Sequence, residues 1–157
     1  MKFKQNRSAN RFSFPAALTP DLDDGGYVVT FRDLPEAITQ GDSIELALQE
    51  AADCIEEAIA ARISDRLEIP EPSNILDGEY LVTVPMQTAL KAAVAIAMSE
   101  SKMDRIELAK ALDVDEKEVR RILDPHHGTK LTTLERTLNV LGKKAVLSVW
   151  NHQPKLN

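Results

Sequence analysis

Three groups of residues in this chain have types and spacings suited to chemistry. The first is acidic: Asp21, Asp23, Asp24, Asp33 and Glu36 fall within one short stretch. A metal-dependent nuclease needs carboxylates on rigid elements, spanning about 4 Å across two metal ions. Most of these acids sit in Thr19-Pro-Asp-Leu-Asp-Asp-Gly-Gly26, where aspartate is common for backbone reasons. The preceding segment Phe12–Leu18 carries no carboxylate. The second group is His126-His127. A zinc site wants three or four convergent ligands. Adjacent side chains seldom point at one centre, and Cys54 and His152 lie far off in sequence. The reading is no metal, with the histidine loop capping a helix or touching phosphate. Neither a nucleophile elbow nor a P-loop occurs. The chain is expected to need no cofactor and not to be an enzyme, with a divergent metal-dependent nuclease as an alternative.

The third group is Ile106 to Leu123, followed by Asp124-Pro-His-His-Gly-Thr-Lys130. Leu108, Ala109, Leu112, Val114, Val119 and Ile122 have the spacing of a helix-turn-helix. Ala109 is small where two helices must approach closely, Val114 plugs the turn, and Val119 and Ile122 anchor the second helix. Glu116, Lys117, Arg120 and Arg121 are left outward. In this geometry side chains near the helix start reach base edges, while basic groups hold phosphates. A helical bundle that binds only protein is the alternative reading. Asp113 stands where glycine is commoner, because a Cβ disfavours the left-handed conformation.

These groups need elements to position them. Alternation predicts strands over Phe12–Leu18, Tyr27–Phe31, Ile38–Gln40 and Tyr80–Val84, the first two forming a hairpin across the glycine-containing turn. Pro15 must keep its donor-less nitrogen away from a ladder partner. Asp42 or Ser43 caps a helix whose apolar stripe runs Ile44, Leu48, Ala51, Ile55, Ala58, Ile59, Ile63, with Cys54 beside it as a small apolar residue. After Pro85 four short helices are predicted, over Met86–Met98, Asp104–Leu112, Asp115–Leu123 and Thr132–Leu141. Asp115 with Glu118 and Thr132 with Glu135 have capping-box spacing. Gly142 ends the last helix, and Ala145–Trp150 reads as a final strand. The lone cysteine and the lack of a signal segment fit a reducing cytoplasm, and no apolar run is long enough to span a membrane.

The net charge of −6 conceals a reversal of sign. Residues 1–13 hold four bases and no acid. Residues 14–83 hold sixteen acids against Arg32, Arg62 and Arg66, a net −13, and residues 84–157 are net +3. An acidic body suits a basic protein partner, and a mildly basic one can approach nucleic acid.

The ordered combination of Pro15-Ala-Ala-Leu-Thr-Pro20, Gly26-Tyr-Val-Val-Thr-Phe-Arg-Asp-Leu-Pro35, Thr39-Gln-Gly-Asp-Ser43, Ile69-Pro-Glu-Pro-Ser73 and His126-His-Gly-Thr-Lys130 resembles HicB antitoxins of the helix-turn-helix branch. Many relatives carry Gly-Cys after Leu-Pro, where this chain has Glu36-Ala37. The resemblance implies an α+β protein in two parts. Residues 13–84 would be a partial ribonuclease-H-like domain, an antiparallel sheet with a packed helix and without the catalytic carboxylates. Residues 85–150 would be an all-α helix-turn-helix domain ending in a short strand, flanked by a basic arm (1–12) and a tail (151–157). The implied partners are a HicA-type mRNA-cleaving toxin, operator DNA and a second copy of the chain, with no membrane. Expected toxin contacts are Tyr27, Val29, Phe31, Arg32, Asp33, Leu34 and Glu36. Expected DNA contacts are Glu116, Lys117, Arg120, Arg121, Thr129 and Lys130, and Val146, Leu147, Val149 and Trp150 are expected at the self-interface. A helix-turn-helix regulator whose first domain senses a small molecule is the competing function.

Overall fold

In the computed structural model of the chain, residues 11–149 are described. The elements are β1 (Ser13–Pro20), β2 (Tyr27–Phe31), β3 (Ile38–Gly41), α1 (Ile44–Asp65), β4 (Glu79–Thr83), α2 (Met86–Ser101), α3 (Arg105–Leu112), α4 (Glu116–Leu123) and α5 (Leu131–Val140). The strands form one antiparallel sheet in the order β3-β2-β1-β4. β1 is therefore an inner strand, although it contains proline. Its pairing explains how: residues 16–20 pair with β2 and residues 13–17 with β4. Pro15 is paired on one side only, to Leu81, and sits locally at an edge.

Period-two alternation puts Phe14, Ala16, Val29, Phe31 and Val82 on the face beneath α1, where all are buried. α1 answers with Ala47, Ala51, Ile55, Ala58 and Ile59. Its stripe begins at Ala47, while Ile44 is 37% exposed. The reason is a close backbone approach. A Cβ added at Gly41 would lie 2.4 Å from the Ala47 nitrogen, so β3 and the first turn of α1 touch with only an alanine between them. Ser43 caps the helix, its Oγ accepting from the Leu46 N–H at 3.2 Å.

The other helices enclose a second core of Val94, Leu108, Leu112, Val119, Ile122 and Leu134 with their neighbours. α2 belongs to both cores. Ala92 closes the first, and Val94 and Ala97 open the second.

Two local expectations are corrected. Thr132 does not cap α5: the helix begins at Leu131 after Lys130, with no side-chain cap, so Thr132 and Thr133 are already helical. The full reciprocal capping box is at α3, between Asp104 and Glu107. Residues 145–149 form no strand, and Val146, Leu147 and Val149 are exposed. A segment without a ladder partner gains no cross-strand bonds, so alternation alone does not extend it. Trp150 lies outside the described residues. No helix among the described residues is long and apolar enough to cross a membrane.

Replacing Gly41 by alanine should lower the urea midpoint of unfolding, at a cost of about 1–3 kcal/mol from overpacking. An unchanged midpoint would contradict the close β3–α1 approach.

Candidate functional site

The helix pair α3–α4 is built as its spacing predicts at each apolar position. Leu108, Ala109, Leu112, Val119 and Ile122 are buried, and Val114 is half-buried against them. The turn is tight because Asp113 takes the left-handed conformation (φ 55°), which lets the Val114 N–H reach the Ala109 carbonyl at 3.0 Å. Asp115 starts α4 by accepting from the Glu118 N–H at 2.7 Å. Glu116, Lys117, Arg120 and Arg121 are exposed on the outer side of α4. The acids sit in its first turn and the arginines in its last, an order that also suits the helix dipole. Arg121 pairs loosely with Glu118 at 3.5 Å.

The loop after α4 is held from beneath. Lys91 of α2 is 2% exposed. Its ammonium donates to the Arg121 carbonyl at 2.9 Å, the Ile122 carbonyl at 2.8 Å and Thr129 Oγ1 at 2.7 Å. Burial pushes its pKa down to about 8, with Asp124 and Glu118 pulling upward. Thr129 is thus a structural acceptor, half-buried, while Lys130 is exposed. Gln87 Nε2 donates to the Thr129 carbonyl, and His126 Nε2 stands 3.5 Å from Glu57 of α1. Among the described residues no three His, Cys, Asp or Glu are grouped to hold a metal ion.

The acidic half offers a different surface from the one expected. Val29, Phe31 and Leu34 are core residues, so their side chains cannot meet a partner. Alternation turned Val29 and Phe31 inward under α1, and the loop folds Leu34 after them. Tyr27 is half-buried against the same core. Arg32, Asp33 and Glu36 reach the surface but are tied to the segment 67–78 and its flanks. Arg32 crosses β1 to grip both oxygens of Glu79 and the Asn74 carbonyl. Asp33 accepts from the Ser73 N–H at 2.9 Å and from its hydroxyl. Arg62 links Glu36 to the Glu68 carbonyl, and its hydrogen bond holds the Glu36 carboxyl below its ordinary pKa. Arg11 donates to the carbonyls of Ile69 and Pro70. The sheet face away from α1 carries exposed Thr30, Ile38 and Leu81. None of these three is among the expected contacts, although the same alternation that buries Val29 turns Thr30 outward.

Comparison with known proteins decides the family. The family described as HicB_like antitoxin of bacterial toxin-antitoxin system matches residues 13–93. A protein named Antitoxin HicB 1 from Photorhabdus laumondii is 38% identical over 136 residues, covering 87% of this chain and 86% of its own. Antitoxin HicB of Escherichia coli is 33% identical over 134 residues, covering 85% and 96%. Antitoxin HicB of Pseudomonas fluorescens is 31% identical over 137 residues, covering 87% and 94%. The chain belongs to the HicB antitoxin family. Its antitoxin role in a toxin–antitoxin system follows from that membership, and the family match ends inside α2, the helix that both cores share.

In this HicB antitoxin the Asp33–Ser73 tie should govern the order of segment 67–78. Asp33→Ala should speed amide exchange at Ser73 and its neighbours while α4 amides stay unchanged. Equal protection in variant and parent would show that the tie does not hold the segment.

Proposed function

We propose that the chain neutralises a HicA-type mRNA-cleaving toxin through its sheet half and represses its own operon through α3 and α4. In this reading residues 13–84 are a partial ribonuclease-H-like domain and residues 85–150 a helix-turn-helix domain. The observation that carries the proposal is the reversal of charge within one HicB-family chain: net −13 over residues 14–83 and net +3 beyond. An acidic surface steers a cationic RNA-binding enzyme toward it and repels nucleic acid. The toxin face combines the exposed groups Arg32 and Glu36 with the apolar side chains of the open sheet face. The buried Val29, Phe31 and Leu34 support that face from within.

For the second activity α4 presents Glu116, Lys117, Arg120 and Arg121, with Lys130 just beyond its end. A helix seated in a major groove in this way holds phosphates with its basic side chains, and an arginine can read guanine with two parallel hydrogen bonds. Replacing Lys117, Arg120 and Arg121 together by alanine should weaken binding to the promoter DNA of its own operon while leaving toxin binding intact. A lost phosphate contact lowers the salt slope by about one, and a lost guanine contact costs about 1–3 kcal/mol at one base pair. Equal promoter affinity for the triple variant and the parent would remove α4 from the interface.

Pairing of two copies completes the proposal. Repressors of this kind bind symmetric half-sites about one helical turn, or a multiple, apart. Val146, Leu147, Val149 and Trp150 alternate in the sequence, and a twin across a two-fold axis would supply the ladder partner that residues 145–149 lack. Truncation after Lys144 should yield a monomer with weaker promoter binding and an intact toxin surface. A truncated chain that sediments as a dimer at low micromolar concentration would rule this interface out.

A further inference from the structure

α4 is eight residues long, too short to be stable by itself. Its start is fixed by Asp115, but its end has no glycine and no left-handed residue: Asp124 is extended, with φ −78° and ψ 117°. The last carbonyls of a helix need partners, and a cation there also complements the dipole. The Asp124 N–H reaches the Arg121 carbonyl at 3.3 Å, and one side chain from another helix supplies the cation and the remaining donors. Lys91 has three donors, and each finds an acceptor: two α4 carbonyls and the Thr129 hydroxyl.

We propose that Lys91 is the positioning residue for DNA binding, fixing the end of α4 and the 124–130 loop in the pose that presents Lys117, Arg120 and Lys130 to the duplex. This inference rests on the reading of α4 as the DNA-facing helix. Lys91 does not itself reach the solvent, so it touches no phosphate.

Two further observations support the assignment. The charge is costly where it sits. A lysine whose folded pKa lies below its unfolded value binds its proton less well in the fold, so at neutral pH its charge subtracts from stability. The buried α2 residues beside it, Ala92 and Val94, are apolar, so a methionine here would satisfy the apolar pattern without that cost. Lys91 also stands at the joint between the two cores. One turn before it on α2, Thr88 donates to Glu56 of α1 at 2.7 Å, and Gln87 donates to the same loop that Lys91 holds. The pose of α4 is thereby referred to the acidic half through a single helix.

The test compares the full chain with Lys91→Met by three readouts: affinity for a duplex carrying the promoter of its own operon, the salt slope of that affinity, and amide exchange along α4. Lys91→Met should bind the duplex about tenfold more weakly or worse, the scale of one lost charge-assisted hydrogen bond. Its salt slope should match the parent's, since no phosphate contact is lost. Faster exchange should be confined to α4 and the loop. A Lys91→Cys chain in a Cys54→Ala background, alkylated with bromoethylamine while unfolded and then refolded, regains an ammonium at the same reach. It should recover most of the affinity, and its unalkylated form stands in if Lys91→Met does not fold. Affinity within about twofold of the parent, a slope reduced by about one, or no recovery on alkylation would each overturn the proposal. If the parent binds no promoter DNA, the DNA reading of α4 fails. Exchange then judges Lys91 alone, with equal α4 protection in parent and variant counting against it.

Discussion

The architecture depends on one helix packing in two directions. α2 gives Ala92 to the core beneath the sheet and Val94 and Ala97 to the core among the helices, within a single turn and a half. Interiors are close-packed, so a helix embedded on two sides transmits its position to both. The acidic sheet half and the basic helical half are therefore not beads on a flexible string. The Thr88–Glu56 hydrogen bond crosses the seam between them, while Gln87 and the buried Lys91 ammonium tie α2 to the end of α4 and the loop after it.

That construction suits the two unlike partners proposed for it. Charges of opposite sign would attract each other across a loose linker and cover both surfaces. A rigid shared helix keeps them apart. Of the acidic half's bases, Arg32 and Arg62, joined by Arg11 from the preceding arm, hold the segment 67–78 and its flanks against the sheet and α1, and Arg66 is exposed. The surface left for a partner is thus strongly acidic, with apolar side chains such as Ile38 and Leu81 among the charges.

Much of this was legible in the residues. Both periodicities match the elements from β1 to α5, though not the strand expected over 145–150, and Leu108, Ala109, Leu112, Val114, Val119 and Ile122 face inward as their spacing requires. The misses have physical causes. Val29 and Phe31, expected by resemblance at a toxin contact, face the core, because alternation tells which residues share a face, not which face α1 covers. Thr132 has the right spacing for a cap, but spacing cannot say where a helix starts when Lys130 and Leu131 are also compatible. Lys91 lay hidden in an alanine-rich run, where a lysine reads as the solvent edge of a helix. Its burial depends on acceptors thirty and thirty-eight residues away, which no local pattern carries.

In the proposed function one chain holds two separate partner surfaces, one on each side of α2. Amide exchange of the full chain, measured free, with its toxin and with promoter DNA, tests this most directly. The footprints should be disjoint, with the toxin protecting the sheet half within residues 27–41 and 67–83 and DNA protecting residues 115–130. Protection of the acidic half by DNA, or of α4 by the toxin as the main contact, would contradict it.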